Sequence, residues 1–186
     1  GRVPGMIIEP QVPQELLQKA KAYTDTAVIS ICRFSGEGWD RKSIVETENK
    51  NIWASEEEMA RRSAEIFEDG DFYLTHAEQE MVNTVKQNFA RVIVVMNVGG
   101  MVDTSWFHDD AQIQSVLMAW QGGMEGGLAT AELLAGEGNP SGKLSDTFAR
   151  ELNDYPSTYN FHESEKYVEY TDGIYVGSVS YTHLRA

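Results

Sequence analysis

The chain has 186 residues, 41% of them apolar and 10% aromatic, enough for one α/β domain with a real core rather than a disordered segment. Its formal net charge is -14 and its pI is near 4.6, so it lacks the Lys and Arg excess that nucleic acid or an anionic membrane surface would require. One cysteine, Cys32, excludes an internal disulfide, and no apolar run approaches the length of a membrane span.

Residues 1–13 carry Pro4, Gly5, Pro10 and Pro13 and read as irregular. No signal peptide is visible, but the opening Gly1-Arg2-Val3-Pro4-Gly5 reads as the interior of a longer polypeptide, so this decides nothing about the compartment, bacterial cytoplasm or secreted. A helix is predicted from Pro13 or Gln14, since proline suits a first helical turn. Leu16, Leu17, Ala20 and Tyr23 give it an apolar stripe. The run Ala27-Val28-Ile29-Ser30-Ile31-Cys32 follows. It is nearly all apolar, as expected of a parallel strand covered on both faces, with Cys32 as a small core residue.

That strand leads into Ser35-Gly36-Glu37-Gly38-Trp39-Asp40-Arg41. Glycine on both sides of a carboxylate frees the backbone and leaves room for a ligand. Glu37 therefore reads as presented at the carboxyl end of a strand, the edge where open α/β sheets bind ligands. The plain alternative is a loop with a solvated Glu.

A polar excursion covers about residues 42–74. Ser55 with Glu58 is a capping-box pattern, predicting a helix from about Glu56 to Phe67 with Met59, Ala60, Ala64 and Phe67 inward. Gly70-Asp71 breaks it. Thr75 with Glu78 is a second such pattern and opens a helix to about Ala90, with Met81, Val82, Val85 and Phe89 as its stripe. Val92-Ile93-Val94-Val95-Met96 is the clearest strand, ended by Asn97-Val98-Gly99-Gly100. Another strand is predicted at about Ser115–Trp120, ended by Gln121-Gly122-Gly123-Met124-Glu125-Gly126-Gly127. A helix then runs to Ala135, with Leu128, Ala131, Leu134 and Ala135 as its apolar face and Gly136 at its C-terminal cap. Asn139-Pro140-Ser141-Gly142 is a turn, Lys143–Phe148 reads as a fourth strand, and residues 150–173 as a long ordered loop. Ile174-Tyr175-Val176 would begin another strand.

Strands alternating with helices imply an α/β fold: a mostly parallel sheet sandwiched by helices, with every strand's carboxyl end on one edge. The glycine-rich loops at Gly36/Gly38, Gly99/Gly100 and Gly122/Gly123 should then line one rim. Any one of them could simply end a strand; in succession, with one carrying Glu37, they point to a functional edge. The last residues, Ser178–Ala186, read as a translated sequencing adapter, so the native domain is expected to span residues 1–177 and to be incomplete. His183 is accordingly not a catalytic candidate.

Several chemistries fit poorly. Gly122 to Gly127 opens a helix as phosphate loops do, but G-x-G-x-x-G after the first strand is absent and Glu125 would repel phosphate. Pro140-Ser141-Gly142-Lys143 lacks the rest of a Walker loop. His76, His108 and His162 have no ligand spacing, and His108-Asp109-Asp110 reads as a solvated turn, so neither a metal nor a cofactor is expected. The Gly-x-Ser-x-Gly elbow of a serine hydrolase is missing. Carboxylate chemistry on a sugar remains: Glu37 could hold a proton for a leaving oxygen, and Trp39 could either stack on a sugar ring or pack the loop. No second carboxylate stands out as its companion.

Over residues 14–177 the chain resembles the α/β-sandwich domain of glycoside hydrolase family 3, a family of β-glucosidases, β-xylosidases and related exo-acting enzymes. The resemblance rests on Ser35 to Arg41, on Val92 to Gly100, on Ala119-Trp120-Gln121-Gly122-Gly123-Met124-Glu125-Gly126-Gly127, on Asn139-Pro140-Ser141-Gly142-Lys143-Leu144 with Thr147-Phe148, and on Tyr170 to Gly177. It breaks off where the adapter sequence begins.

The resemblance implies a retaining two-step hydrolysis of a β-linked oligosaccharide or glycoside. An Asp on a separate (β/α)8-type barrel domain, absent from this chain, would be the nucleophile. Glu37 maps to the acid/base and Trp39 to a side chain bordering the aglycone. Asp40 and Arg41 map to a pair that shapes the loop. The chain alone is expected to be inactive, and marginal or aggregation-prone because a truncated parallel sheet exposes apolar area. A non-catalytic carbohydrate-binding or scaffold domain is the alternative, since a fold does not establish an activity. Glycone, linkage, barrel order and oligomeric state are not legible here.

Overall fold

The computed structural model describes residues 8–35, 61, 63–160, 164 and 166–171. A three-stranded sheet lies at its centre, ordered β1-β2-β3 and parallel throughout. The strands are β1 (Thr26–Arg33), β2 (Arg91–Val98) and β3 (Ile113–Met118). The helices are α1 (Gln14–Tyr23), α2 (His76–Asn88), a single turn α3 (Ser105–His108) and α4 (Gly126–Ala135). This is the α/β architecture expected from the alternation of apolar runs and capped helices.

α2 forms where its cap predicts. The Thr75 hydroxyl accepts from the Glu78 N–H at 3.1 Å, and the Glu78 carboxylate accepts from the Thr75 N–H at 2.8 Å. Two of the four N–H groups that a helix start leaves orphaned are met in this way. The expected stripe faces the sheet: Val82 is buried, and Met81 and Val85 pack on the same cluster. That cluster holds Ile29 and Ile31 of β1, Val92, Val94, Met96 and Val98 of β2, and Ile113 of β3. Side chains alternate across a strand, so these residues share one face of the sheet.

The opposite face is thinner than expected. The burial of β1 alternates, with Ile29, Ile31 and Arg33 buried and Val28, Ser30 and Cys32 exposed. Cys32 is therefore not a core residue. α4 is equally open: none of its residues is buried, and Leu128 and Leu134 of its expected inward face are 58% and 40% exposed. Among the described residues nothing covers that side of β1. α1 likewise buries only Leu17 of its stripe, leaving Leu16 and Tyr23 in solvent.

Two other expectations shift. β3 begins two residues earlier than predicted and ends at Met118. The N–H groups of Ala119 and Trp120 both turn to the Met96 carbonyl, and Trp120 adopts φ 54°, which ends the extended run. Lys143–Phe148 is not a strand. Its backbone is satisfied locally instead: the Tyr155 hydroxyl donates to the Thr147 carbonyl at 3.3 Å and accepts from the Ala149 N–H at 2.9 Å. Residues 150–160 form a loop with short 3₁₀ turns at Leu152–Asp154 and Pro156–Tyr159. Gly136 caps α4 at φ 80°, as expected for a left-handed C-terminal residue. The helix predicted at 56–67 is seen only in part, at residues 61 and 63–66. The strand predicted at 174–176 lies outside the described residues.

Candidate functional site

Glu37, Trp39, Asp40 and Arg41 lie outside the described residues. What the structure does describe is the ground from which that loop departs. β1, β2 and β3 run parallel, so Ser35, Gly99 and Gln121, each just beyond a strand's last residue, fall on one edge.

These residues interlock. The Gly99 N–H donates to the Arg33 carbonyl at 2.9 Å, carrying the β1–β2 ladder one residue past the end of the strands. The Gln121 side-chain amide donates to the Ser35 carbonyl at 3.1 Å. Gly99 lies between them. A Cβ on it would fall 2.3 Å from Gln121 Nε2 and 2.7 Å from Ser35 Cβ, so only glycine fits without pushing the two apart. The next loop is as tight, since a Cβ at Gly122 would meet the Gly126 Cα at 2.8 Å.

Trp120 directs this crossing. A non-glycine residue at positive φ is strained and persists only where its surroundings hold it. Here its ring packs on the core cluster and lies 6.1 Å from the Phe148 ring. Its N–H is bound to Met96 O at 3.1 Å. The kink turns Gln121 back across Gly99 toward β1. Sequence reasoning singled out the glycines here and missed Gln121, although its place between an aromatic and a glycine at a strand exit was visible.

Below the rim, Arg33 anchors the end of β1. Each of its N–H groups has an acceptor. Nε donates to Asp71 O at 3.0 Å, Nη1 to Cys32 O at 2.8 Å and Glu78 Oε1 at 2.7 Å, and Nη2 to Tyr73 O at 2.9 Å and Glu78 Oε2 at 2.5 Å. The guanidinium also lies 4.7 Å from the centroid of the Phe67 ring. Arg33 is 4% exposed, so these contacts form in a low-dielectric setting where an unpaired charge would be costly. The carboxyl end of β1 is thus tied to the 71–73 turn and to the start of α2.

The other candidates separate from this edge. The His76 and His108 side chains are exposed beside acidic neighbours; of the expected solvated turn His108-Asp109-Asp110, the first two are in solvent, whereas Asp110 is drawn in by its ion pair with Lys86. Among the described residues no group of three or more His, Cys, Asp or Glu side chains is arranged to hold a metal ion. No described helix is long and apolar enough to cross a membrane.

Comparison with known proteins gives this edge a context. The model of the glycosyl hydrolase family 3 C-terminal domain matches residues 11–178. The chain is 60% identical over 177 residues to Beta-glucosidase A of Butyrivibrio fibrisolvens, covering 95% of this chain and 21% of that protein. Among solved structures, β-glucosidase 3B of Thermotoga neapolitana superposes with TM-score 0.74 at 31% identity, over 97% of this chain and 23% of the other. A β-glucosidase from Paenibacillus barengoltzii superposes with TM-score 0.70 at 35% identity, over 91% of this chain and 16% of the other. The chain therefore spans about a fifth of the length of the Butyrivibrio protein.

Proposed function

Since the chain belongs to glycosyl hydrolase family 3, as its C-terminal domain, we propose that it is the acid/base-bearing domain of a retaining exo-β-glycosidase acting on terminal β-linked sugars. In this reading a (β/α)8-type barrel domain outside residues 1–177 supplies an Asp nucleophile, and residues 1–177 alone have no glycosidase activity. The Asp attacks the anomeric carbon and Glu37 protonates the departing glycosidic oxygen, leaving a glycosyl-enzyme ester. Glu37, now a carboxylate, takes a proton from water as the water attacks the same carbon, which frees the sugar and restores both carboxyl groups. Trp39 borders the aglycone.

The observation that supports this reading most is the placement of Ser35. β1 delivers it, with Gly36-Glu37-Gly38 next in sequence, to the edge where the loops after β2 and β3 also arrive. Strand carboxyl ends are where α/β sheets bind their ligands. The paired Arg33 fixes the end of β1, two residues before Ser35, which suits a strand that must present a catalytic loop.

The test is kinetic and needs a complete enzyme. Residues 11–178 replace the aligned segment of the Butyrivibrio β-glucosidase, which 60% identity makes a reasonable exchange. Glu37→Gln in this chimera should slow hydrolysis of substrates with alcohol leaving groups by about 100-fold or more, the scale of general acid catalysis. Aryl glycosides with good leaving groups need little proton assistance, so their first step should suffer less, and azide should restore turnover as a glycosyl azide forms. Full activity of Glu37→Gln on a β-linked disaccharide would remove the assignment and leave a non-catalytic binding or scaffold role. Clear turnover by purified residues 1–177 would overturn the need for the barrel.

A further inference from the structure

We propose that the face of the sheet turned away from α2 is a docking surface, and that its occupant is the part of the longer polypeptide lying outside this chain. The inference rests on the chain's being a segment of a larger family member, and not on the reading of Glu37 as the acid/base.

The strand register lays the face out in rows. Val28 stands beside Ile93, Ser30 beside Val95, and Cys32 beside Asn97. The residues between them, Ile29, Ile31, Val94 and Met96, belong to the cluster on which α2 packs, so these six side chains share the other side. None of the six is charged, in a chain where 24% of residues are. The nearest charges, Asp25 and Arg91, stand at the amino end of the strands and pair with each other. A sheet face meant for water carries polar side chains throughout. This one offers small and apolar ones: Val28 is 53% exposed, Ser30 and Cys32 are exposed, and Ile93 is half-buried.

Purely parallel sheets occur almost only with both faces covered. Among the described elements, α2 and the turn carrying Trp106 and Phe107 serve the same side, and α4 buries none of its residues. The second cover has to come from elsewhere. The chain spans 21% of the Butyrivibrio β-glucosidase, so about four-fifths of that protein is available to supply it. A second copy of the chain fits less well, since each copy carries a net charge of -14 and the two would repel. The docked surface should itself be apolar and poor in acidic side chains, because it must cover Val28 and Ile93 within an acidic chain.

Cys32 lies in this face and reports on it without any substitution. In the chimera with the Butyrivibrio enzyme, peptide mass spectrometry separates its maleimide adduct from those of other thiols. Labelling of Cys32 should be at least about 100-fold slower in the native chimera than in urea, as for a site exposed only by local opening. In the 186-residue chain at low concentration it should approach the unfolded rate. Val28→Lys puts a charge under the cover, so it should speed labelling of the native chimera by about tenfold or more and leave that of the chain unchanged. Equal rates in the native and unfolded chimera would overturn the proposal, as would a Val28→Lys chimera that labels like its parent. So would a thiol protected in the chain alone: in a monomer by sedimentation the cover is then the chain's own, and in a dimer it is a second copy. None of these readouts involves catalysis, so they hold whether or not Glu37→Gln behaves as an acid/base variant.

Discussion

Arg33 donates to both carboxylate oxygens of Glu78, and the same carboxylate accepts the Thr75 N–H that opens α2. One side chain therefore closes a helix cap and neutralises a buried cation. The Arg33 side chain is 3% exposed and that of Glu78 13%, so both charges have left water for this contact. Removing one partner leaves the other uncompensated, a penalty of about 3–5 kcal/mol, whereas replacing both can be nearly neutral.

Glu78→Gln keeps an acceptor for Thr75 and discards the charge, so it isolates the ion pair from the cap. We expect it to destabilise the chain by about 3 kcal/mol in urea unfolding at low protein concentration. Arg33→Met alone should cost a similar amount, since the buried Glu78 carboxylate is then unpaired. The double variant should cost less than the sum of the two, although the Asp71, Cys32 and Tyr73 carbonyls have lost their donor in it as well. Losses that simply add would mean that the pair is not coupled, and that the backbone carbonyls rather than Glu78 hold Arg33 at the end of β1.

This pair shows why some of the structure was legible in the sequence and some was not. The Thr75–Glu78 cap and the run at β2 are local signals, and both appear where the residues said they would. Arg33 and Glu78 lie 45 residues apart, and nothing local to either names the other. The same holds for Gln121 and Ser35. Lys143–Phe148 reads as a strand because its composition suits one, but a strand exists only beside another, and here the Tyr155 hydroxyl takes Thr147 O and Ala149 N–H instead. The rim of glycine loops was foreseen as a place; the contacts that build it depend on which strands become neighbours. Glu37 and Trp39, on which the chemical reading rests, lie outside the described residues, and that reading of them comes from the motif alone.

The acid side of the stability curve should carry the mark of Asp110. The Lys86 ammonium beside it, with the Gln112 N–H on the same carboxylate, holds its carboxyl below the usual value. A folded-state pKa below the unfolded one adds stability that is fully present above the unfolded value, about 3.9, and is lost as pH falls through the folded one. Asp25 is lowered in the same sense by Arg91 and then Thr26, but it stands in solvent and should contribute little. Asp110→Asn removes the titration. Its cost, about 1 kcal/mol near pH 7, should shrink as pH falls through the lowered folded-state value and the parent carboxyl itself takes up a proton. Equal costs at pH 7 and pH 2 in matched denaturant titrations would show that the ion pair is not the source.

Cys32 gives the most direct test of how the sheet is covered. The apolar run from Ala27 to Cys32 suggests a strand buried on both faces, in which case the thiol would react only after unfolding. The structure places it on the face with Val28, which is 53% exposed, beside Ser30 and within 3.7 Å of Asn97 Nδ2. A maleimide should therefore label the native chain at low concentration nearly as fast as it labels the urea-unfolded chain. Cys32→Ser should change stability by no more than about 0.5 kcal/mol, since an exposed site leaves no cavity and no stranded polar group. The two measurements check each other. Slow labelling together with a loss of 2 kcal/mol or more would mean a packed thiol and a second layer over β1. Fast labelling with little loss would mean that this side of the sheet is open to solvent, and that the isolated chain carries the apolar exposure expected to make it prone to self-association.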